Sequence, residues 1–315
     1  MKRIVMNSDA MGGLDFTDVN RPTPLPHQSL VRVVAFSLNR GEINFAQSPA
    51  SKGRTIGWDY VGIIELSAAD GTGLKKGTRV VGWRTEMDAF AEYVIGDSKF
   101  LAPIPDTVSD TQAATLPVAG LTALAAIDKG DRILGRSALI TGVTGGVGYF
   151  ALQLAKLSGA RTVAQVRRPE QATFARDMGA DAVVVTADGQ GLDAEGPYHL
   201  VVDGIGGSWF GPLLRATAKG GILVSYGSSG SNESRFNLSP DLYGNGGQRR
   251  IYGLTLYSEI EIEPSSVALG RLLQLVESDR LALPDITTAD WSETPKLAGD
   301  LLSRRFSGKA VMTIG

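Results

Sequence analysis

Leu139-Ile-Thr-Gly-Val-Thr-Gly-Gly-Val-Gly-Tyr-Phe-Ala-Leu-Gln-Leu-Ala-Lys, residues 139–156, decides the fold of this chain. A short apolar run ends in glycines, and an apolar pattern of helical period starts directly after them. The order is strand, tight turn, helix. Gly145 and Gly148 stand where the second and third glycines of a dinucleotide-binding turn belong, and Val143 occupies the place of the first. Glycine at 145 lets backbone approach a pyrophosphate, and glycine at 148 lets the helix pack closely on the strand. Beside Thr144, the N–H groups of Gly146, Val147 and Gly148 then face an anion at the positive end of the helix. A glycine-rich turn without a ligand is the other reading.

The neighbouring segments continue the alternation. Arg161-Thr-Val-Ala-Gln-Val is the next strand, residues 169–178 are helical, and Ala182-Val-Val-Val, Leu200-Val-Val-Asp and Gly221-Ile-Leu-Val-Ser-Tyr follow as strands. Strands alternating with helices predict a parallel, doubly wound sheet with right-handed crossovers. A carboxylate at the end of the second strand accepts hydrogen bonds from the ribose hydroxyls of NAD. Here that strand ends Gln165-Val166-Arg167-Arg168. Two guanidiniums and no acid favour NADP(H), with Arg167 and Arg168 on the 2′-phosphate, over a pair of merely solvated arginines. Tyr226, Gly227 and Ser228 follow a late strand, at the sheet end where ligands bind in open α/β folds.

Residues before about 110 are different in kind. Ser29-Leu-Val-Arg-Val-Val-Ala-Phe, Tyr60-Val-Gly-Ile-Ile-Glu-Leu, Arg79-Val-Val-Gly-Trp and Phe90-Ala-Glu-Tyr-Val-Ile are short strands between Pro, Gly and Asp punctuation. They predict a small β sandwich or barrel. A last helix is expected at residues 266–278, and Lys309-Ala-Val-Met-Thr-Ile is a final strand whose natural partner is the N-terminal β unit. Arg250-Ile-Tyr-Gly-Leu-Thr-Leu-Tyr reads as an edge strand able to pair with a second copy.

Composition narrows the chemistry. The 315 residues carry a net charge of −2, with 43% hydrophobic and 20% charged residues. This suits about two folded domains and offers no broad attraction to nucleic acid or to a membrane surface. There is no cysteine and there are two histidines, His27 and His199. Cysteine nucleophiles, thiolate zinc sites and disulfides are excluded, and a histidine-rich metal site is not supported. No stretch has the ~18 apolar residues of a membrane span, and Met1 to Asn7 reads as a first strand and not as a signal peptide. The expected location is cytoplasmic. The 39 glycines, about 12% against a usual ~7%, point to many tight turns.

Taken in order, several segments resemble the medium-chain dehydrogenase/reductase superfamily, in its zinc-free quinone-oxidoreductase branch. They are Gly57-Trp-Asp-Tyr-Val-Gly, Leu116-Pro-Val-Ala-Gly-Leu-Thr-Ala-Leu, Thr141-Gly-Val-Thr-Gly-Gly-Val-Gly, Ala175-Arg-Asp-Met-Gly-Ala-Asp, Val201-Val-Asp-Gly-Ile-Gly-Gly and Gly308-Lys-Ala-Val. The resemblance implies a Rossmann NADP(H)-binding domain, residues 114–260, inserted into a GroES-like (chaperonin-10-like) β-rich catalytic domain, residues 1–113 and 261–315. The nicotinamide would lie in the cleft between them. It also implies a homodimer. Asn39-Arg-Gly-Glu-Ile-Asn is similar to the branch's Asn-x-x-Asp segment, with Glu42 replacing Asp. Asn39, Thr122 and Lys309 are the cofactor contacts implied on that basis.

Zinc-dependent relatives carry a Gly-His-Glu segment, and Trp58 stands at its histidine position here. Without that Lewis acid, hydride addition to a conjugated acceptor fits better than alcohol oxidation, because the charge delocalises onto oxygen. The expected activity is therefore zinc-independent, NADPH-dependent reduction of a quinone or an α,β-unsaturated carbonyl compound. Asn39, Glu42, Trp58, Tyr60 and Tyr243 are the candidate residues around a small acceptor, and no general acid is assigned. A zinc-free alcohol dehydrogenase, an enoyl-thioester reductase and a catalytically weak NADP(H) sensor remain open.

Overall fold

The structure, a computed structural model, describes residues 1–315, and every side chain except that of Asn245. Two compact units make up the chain. One comprises Met1–Leu121 with Ile260–Gly315, and the other Thr122–Glu259. The first boundary falls inside the helix Pro117–Asp128, eight residues past the expected start of the inserted domain at residue 114.

In the first unit a hairpin of β1 (Lys2–Met6) and β2 (Leu14–Asp18) precedes a mostly antiparallel sheet. Its strands are β3 (Gln28–Ser37), β4 (Asp59–Leu66), β5 (Arg79–Trp83), β6 (Tyr93–Asp97) and β7 (Leu101–Pro103). β3 is long and β-branched, and it is the hub: it pairs with both β4 and β6. Phe36 on this strand stacks on Phe90 at 4.1 Å between ring centres, and both rings are fully buried. Burial of one such ring stabilises the fold by roughly 2–3 kcal/mol. The strand expected from residue 90 starts only at Tyr93. Residues 89 and 90 turn their N–H groups to the carbonyls of Gly57 and Ile56 instead.

The second unit is a six-stranded parallel sheet. Its strands are β8 (Ser137–Ile140), β9 (Arg161–Val166), β10 (Ala182–Val185), β11 (Tyr198–Asp203), β12 (Thr217–Ser225) and β13 (Arg250–Gly253). Their spatial order is β10-β9-β8-β11-β12-β13. The order reverses between β8 and β11, which is the ligand-binding crevice of a doubly wound α/β sheet. The helices Gly146–Leu157 and Gln171–Asp177 follow β8 and β9. The edge strand is shorter than its sequence suggests. After Gly253 the chain folds into a one-turn helix, Leu256–Glu259. Tyr252 donates to Glu259 at 2.6 Å and Lys129 pairs with the same carboxylate at 2.7 Å, which holds the turn back against the sheet.

The chain then re-enters the first unit with the helix Ser265–Glu277, β14 (Ile286–Asp290), the helix Thr294–Leu302 and β15 (Lys309–Thr313). β15 pairs antiparallel with β3 and parallel with β14, so the two chain ends share one sheet. Among the described residues no helix is long and apolar enough to cross a membrane.

Candidate functional site

Residues 141–148 form a cradle at the carboxyl end of β8. Gly142 sits at φ +61°, a conformation that favours glycine, so the tight turn falls one residue before Val143. Its carbonyl accepts the Gly145 N–H at 2.9 Å. A Cβ at Gly148 would stand 2.4 Å from the same oxygen, so only glycine allows the helix to begin here. The helix Gly146–Leu157 has no side-chain cap at its N-terminus, where Gly145 is the N-cap. Thr144 and Gly145 are exposed, and Gly146 and Val147 half-buried. A helix of this length with uncapped first-turn N–H groups beside an exposed glycine turn fits a pyrophosphate.

At the end of β9, Gln171 Oε1 accepts both the Arg167 and Arg168 N–H groups, at 3.2 and 3.1 Å. Those bonds shape the turn that carries the two arginines, of which Arg167 is half-buried. Arg168 is 67% exposed and pairs with Glu170 at 2.9 Å. No carboxylate lies at this strand end before Glu170. Beyond β12, Tyr226 and Gly227 lie against Gly204, the residue after β11. Ser228 donates to Asn232 at 2.6 Å. Thr122, in the helix Pro117–Asp128, is buried.

The first unit holds a buried polar cluster that joins four distant parts of the sequence. Asn39 caps the helix Arg40–Ala46, and Glu42 completes a capping box by accepting the Asn39 N–H at 2.8 Å. The Asn39 Nδ2 donates to Glu42 at 3.1 Å and to Asp59 at 2.8 Å. Its Oδ1 accepts from Lys309 Nζ at 2.7 Å. Lys309 also donates to the Leu38 carbonyl at 3.2 Å and lies 3.5 Å from Asp59. Asp59 further accepts from Ser37 at 2.6 Å and from the Val118 N–H at 3.0 Å. Glu42 takes the Trp58 N–H at 3.0 Å, which fixes the half-buried Trp58, whose ring lies against Gly41.

Burial pushes the Glu42 carboxyl up to about 8, and the neighbouring Asp59 adds to this, while the Asn39 N–H, Lys309 and the Trp58 N–H pull the other way. Burial also lowers Lys309, against the opposing pull of Asp59 and Glu42. The unfolded chain releases the Glu42 proton near 4.5, and the folded chain keeps it to about 8. Between these values the folded state binds more protons, so stability falls as pH rises, by at most about 1.4 kcal/mol per pH unit from this group. Glu42→Gln is expected to flatten the urea-denaturation stability of the protein between pH 5 and 8. An unchanged slope would show that Glu42 does not carry this dependence.

Several sequence-based expectations change in the structure. Lys309 does not reach outward toward a cofactor, because Asn39, Leu38 and Asp59 take up its ammonium inside the first unit. Asn39 likewise spends both ends of its amide within the cluster. The Tyr60 hydroxyl is buried and has no hydrogen-bond partner among the described residues. Tyr60 is fully buried in β4 opposite Gly82, whose missing side chain makes room for the ring. Tyr243 is 60% exposed in the second unit. Asp203, which ends β11, caps the following turn by accepting the Ile205 and Gly206 N–H groups. Sequence reasoning did not single out Ser37 or Gln165. Gln165 left one signal, an amide inside the apolar run of β9.

Two family models match the chain. The one described as "Alcohol dehydrogenase GroES-like domain" matches residues 25–106, and "Zinc-binding dehydrogenase" matches residues 146–270. Among curated proteins, "Quinone oxidoreductase-like protein 2" of Rattus norvegicus is 31% identical over 207 residues. That alignment covers 60% of this chain and 59% of the relative, so the chain spans about three fifths of that relative's length. Among solved structures, a quinone oxidoreductase of Pseudomonas syringae superposes with a TM-score of 0.86 at 25% identity, over 99% of both chains. Mycobacterial Rv1454c, solved in complex with NADPH, superposes with a TM-score of 0.85 at 21% identity over all of both chains, a likeness of fold.

Proposed function

We propose that this chain, which belongs to the medium-chain dehydrogenase/reductase superfamily and is quinone oxidoreductase-like, reduces a quinone or an α,β-unsaturated carbonyl compound with NADPH and without zinc. The observation that carries the cofactor is the end of β9, where Arg167 and Arg168 stand in place of an acid beside an uncapped glycine cradle. The first-turn N–H groups at Gly146, Val147 and Gly148, with the Thr144 hydroxyl, would hold the pyrophosphate. The arginine pair would hold the 2′-phosphate, and Tyr226, Gly227 and Ser228 would border the same strand ends. An NADPH complex of a protein with the same fold supports this choice.

When bound, reduced nicotinamide supplies the hydride, two electrons and one hydrogen, that the acceptor carbon or quinone oxygen takes up. The negative charge would then spread through the conjugated system onto oxygen, to be protonated by water or by a hydrogen-bond donor. Oxidation of a simple alcohol requires a stabilised alkoxide. This chain has no cysteine, and among its described residues no group of three or more His, Cys, Asp or Glu could hold a metal ion. In the first unit, the buried cluster sets the backbone of residues 38–42 and 58, and the Trp58 ring offers an apolar wall for a flat acceptor.

The test is NADPH consumption, followed by nicotinamide absorbance, with a naphthoquinone, an enal, an enone, a crotonyl thioester and, in reverse, a primary alcohol. Turnover of the quinone or the enone that persists in a strong chelator is expected. Turnover of the alcohol alone, turnover of the thioester alone, or activity abolished by the chelator would each overturn the reading.

A further inference from the structure

β8 leaves its sheet under restraint from the strands on both sides. From β11, Asp203 Oδ1 accepts the Thr141 hydroxyl at 2.8 Å. From β9, the fully buried Gln165 reaches the next residue: its Oε1 accepts the Gly142 N–H at 3.0 Å. The other end of the same amide, Nε2, donates to the Thr186 carbonyl beyond β10 at 2.9 Å. Gln165 therefore spans from the glycine cradle to the exit of β10. A primary amide suits this place because it accepts at one end and donates at the other without bringing charge. A carboxylate could not donate to Thr186, and it would set a buried negative charge beneath an anion site.

Gly142 is the pivot of the cradle. Its φ of +61° reverses the chain, and its carbonyl receives Gly145 and lies under the start of the helix at Gly148. Whatever holds the Gly142 N–H also sets where the first turn of that helix points. We propose that Gln165 is a positioning residue for the pyrophosphate-binding loop, fixing Gly142 against the end of β10 so that the helix N–H groups converge on the ligand. This rests on the reading that the loop binds NADPH. Gln165 acts through Gly142 and makes no contact of its own with the ligand.

The test compares two ligands on Gln165→Leu. NADPH engages both the loop and the arginine pair, whereas adenosine 2′-monophosphate has no pyrophosphate and engages the arginine side alone. We expect the Kd for NADPH to rise about tenfold and that for adenosine 2′-monophosphate to stay within about twofold. Amide exchange at Gly142 should speed up in the ligand-free variant, since its buried acceptor is gone. If Gln165→Leu does not fold, Gln165→Met is measured in its place. Unchanged NADPH affinity, or equal weakening of both ligands, overturns the proposal. Failure of both variants to fold also overturns it, because the role would then be general to the unit. A wild-type protein that binds no NADPH would sink the cofactor reading itself, a separate outcome seen before any variant is made.

Discussion

Replacing Arg167 and Arg168 together by alanine raises the Kd for NADPH about 30-fold and leaves that for NADH within about twofold. A hydrogen bond to a charged group contributes about 1.5–3 kcal/mol when well sheltered. Arg168 is largely exposed, and the nearby Glu170 carboxylate competes for it, so about 1 kcal/mol per arginine is the reasonable share. NADH has no 2′-phosphate and loses nothing when the guanidiniums go. The effect should shrink at high salt, since the screening length falls from about 10 Å at 0.1 M to about 3 Å at 1 M. Fluorescence titration with both nucleotides at two ionic strengths reads all of this. Equal affinities of the wild-type protein for NADPH and NADH would remove the role given to the arginine pair.

Lys309→Met produces the largest loss of stability, about 3–5 kcal/mol. The replacement keeps much of the side-chain length but removes the only cation that the cluster's hydrogen bonds and ion pair include. Asp59, fully buried, is left with an uncompensated charge, and Asn39 Oδ1 and the Leu38 carbonyl lose a donor. For a unit of this size the midpoint of thermal unfolding should fall by roughly 10 °C. Adding Asp59→Asn removes the orphaned charge, so the double variant should recover part of the loss. Coupling of this kind is what a double-mutant cycle measures. A single variant that melts with the wild type would mean that the pair contributes nothing to the fold.

The doubly wound unit was legible because its signals are local. The glycine turn, the helix after it and the strand-helix alternation each rest on residues a few positions apart, and periodicity reports them directly. The helix Thr294–Leu302 covers Thr294, Leu297 and Ala298 and partly covers Leu301 and Leu302, which is helical spacing, but the polar Thr294 and the proline at its start hide that pattern in the sequence. The edge strand was read too long because Tyr257 continues an apolar pattern. Two contacts to Glu259, from Tyr252 and from Lys129 far back in the chain, fold that stretch away.

By itself the sequence determined the chemistry on offer: a glycine-rich turn around Gly145 and Gly148, two arginines where an acid would select NAD, and no thiolate for a metal. These follow from residue type and short spacing, which need no folded context. Only the tertiary structure decided how Asn39, Glu42, Asp59 and Lys309 are used, because Lys309 meets Asn39 through the pairing of β15 with β3 across 270 residues of chain. Asn39 and Lys309 look free to meet a ligand in the sequence, but once buried they satisfy each other's polar atoms. The same rule places Gln165 under the glycine turn, at a distance in sequence that no motif spacing encodes.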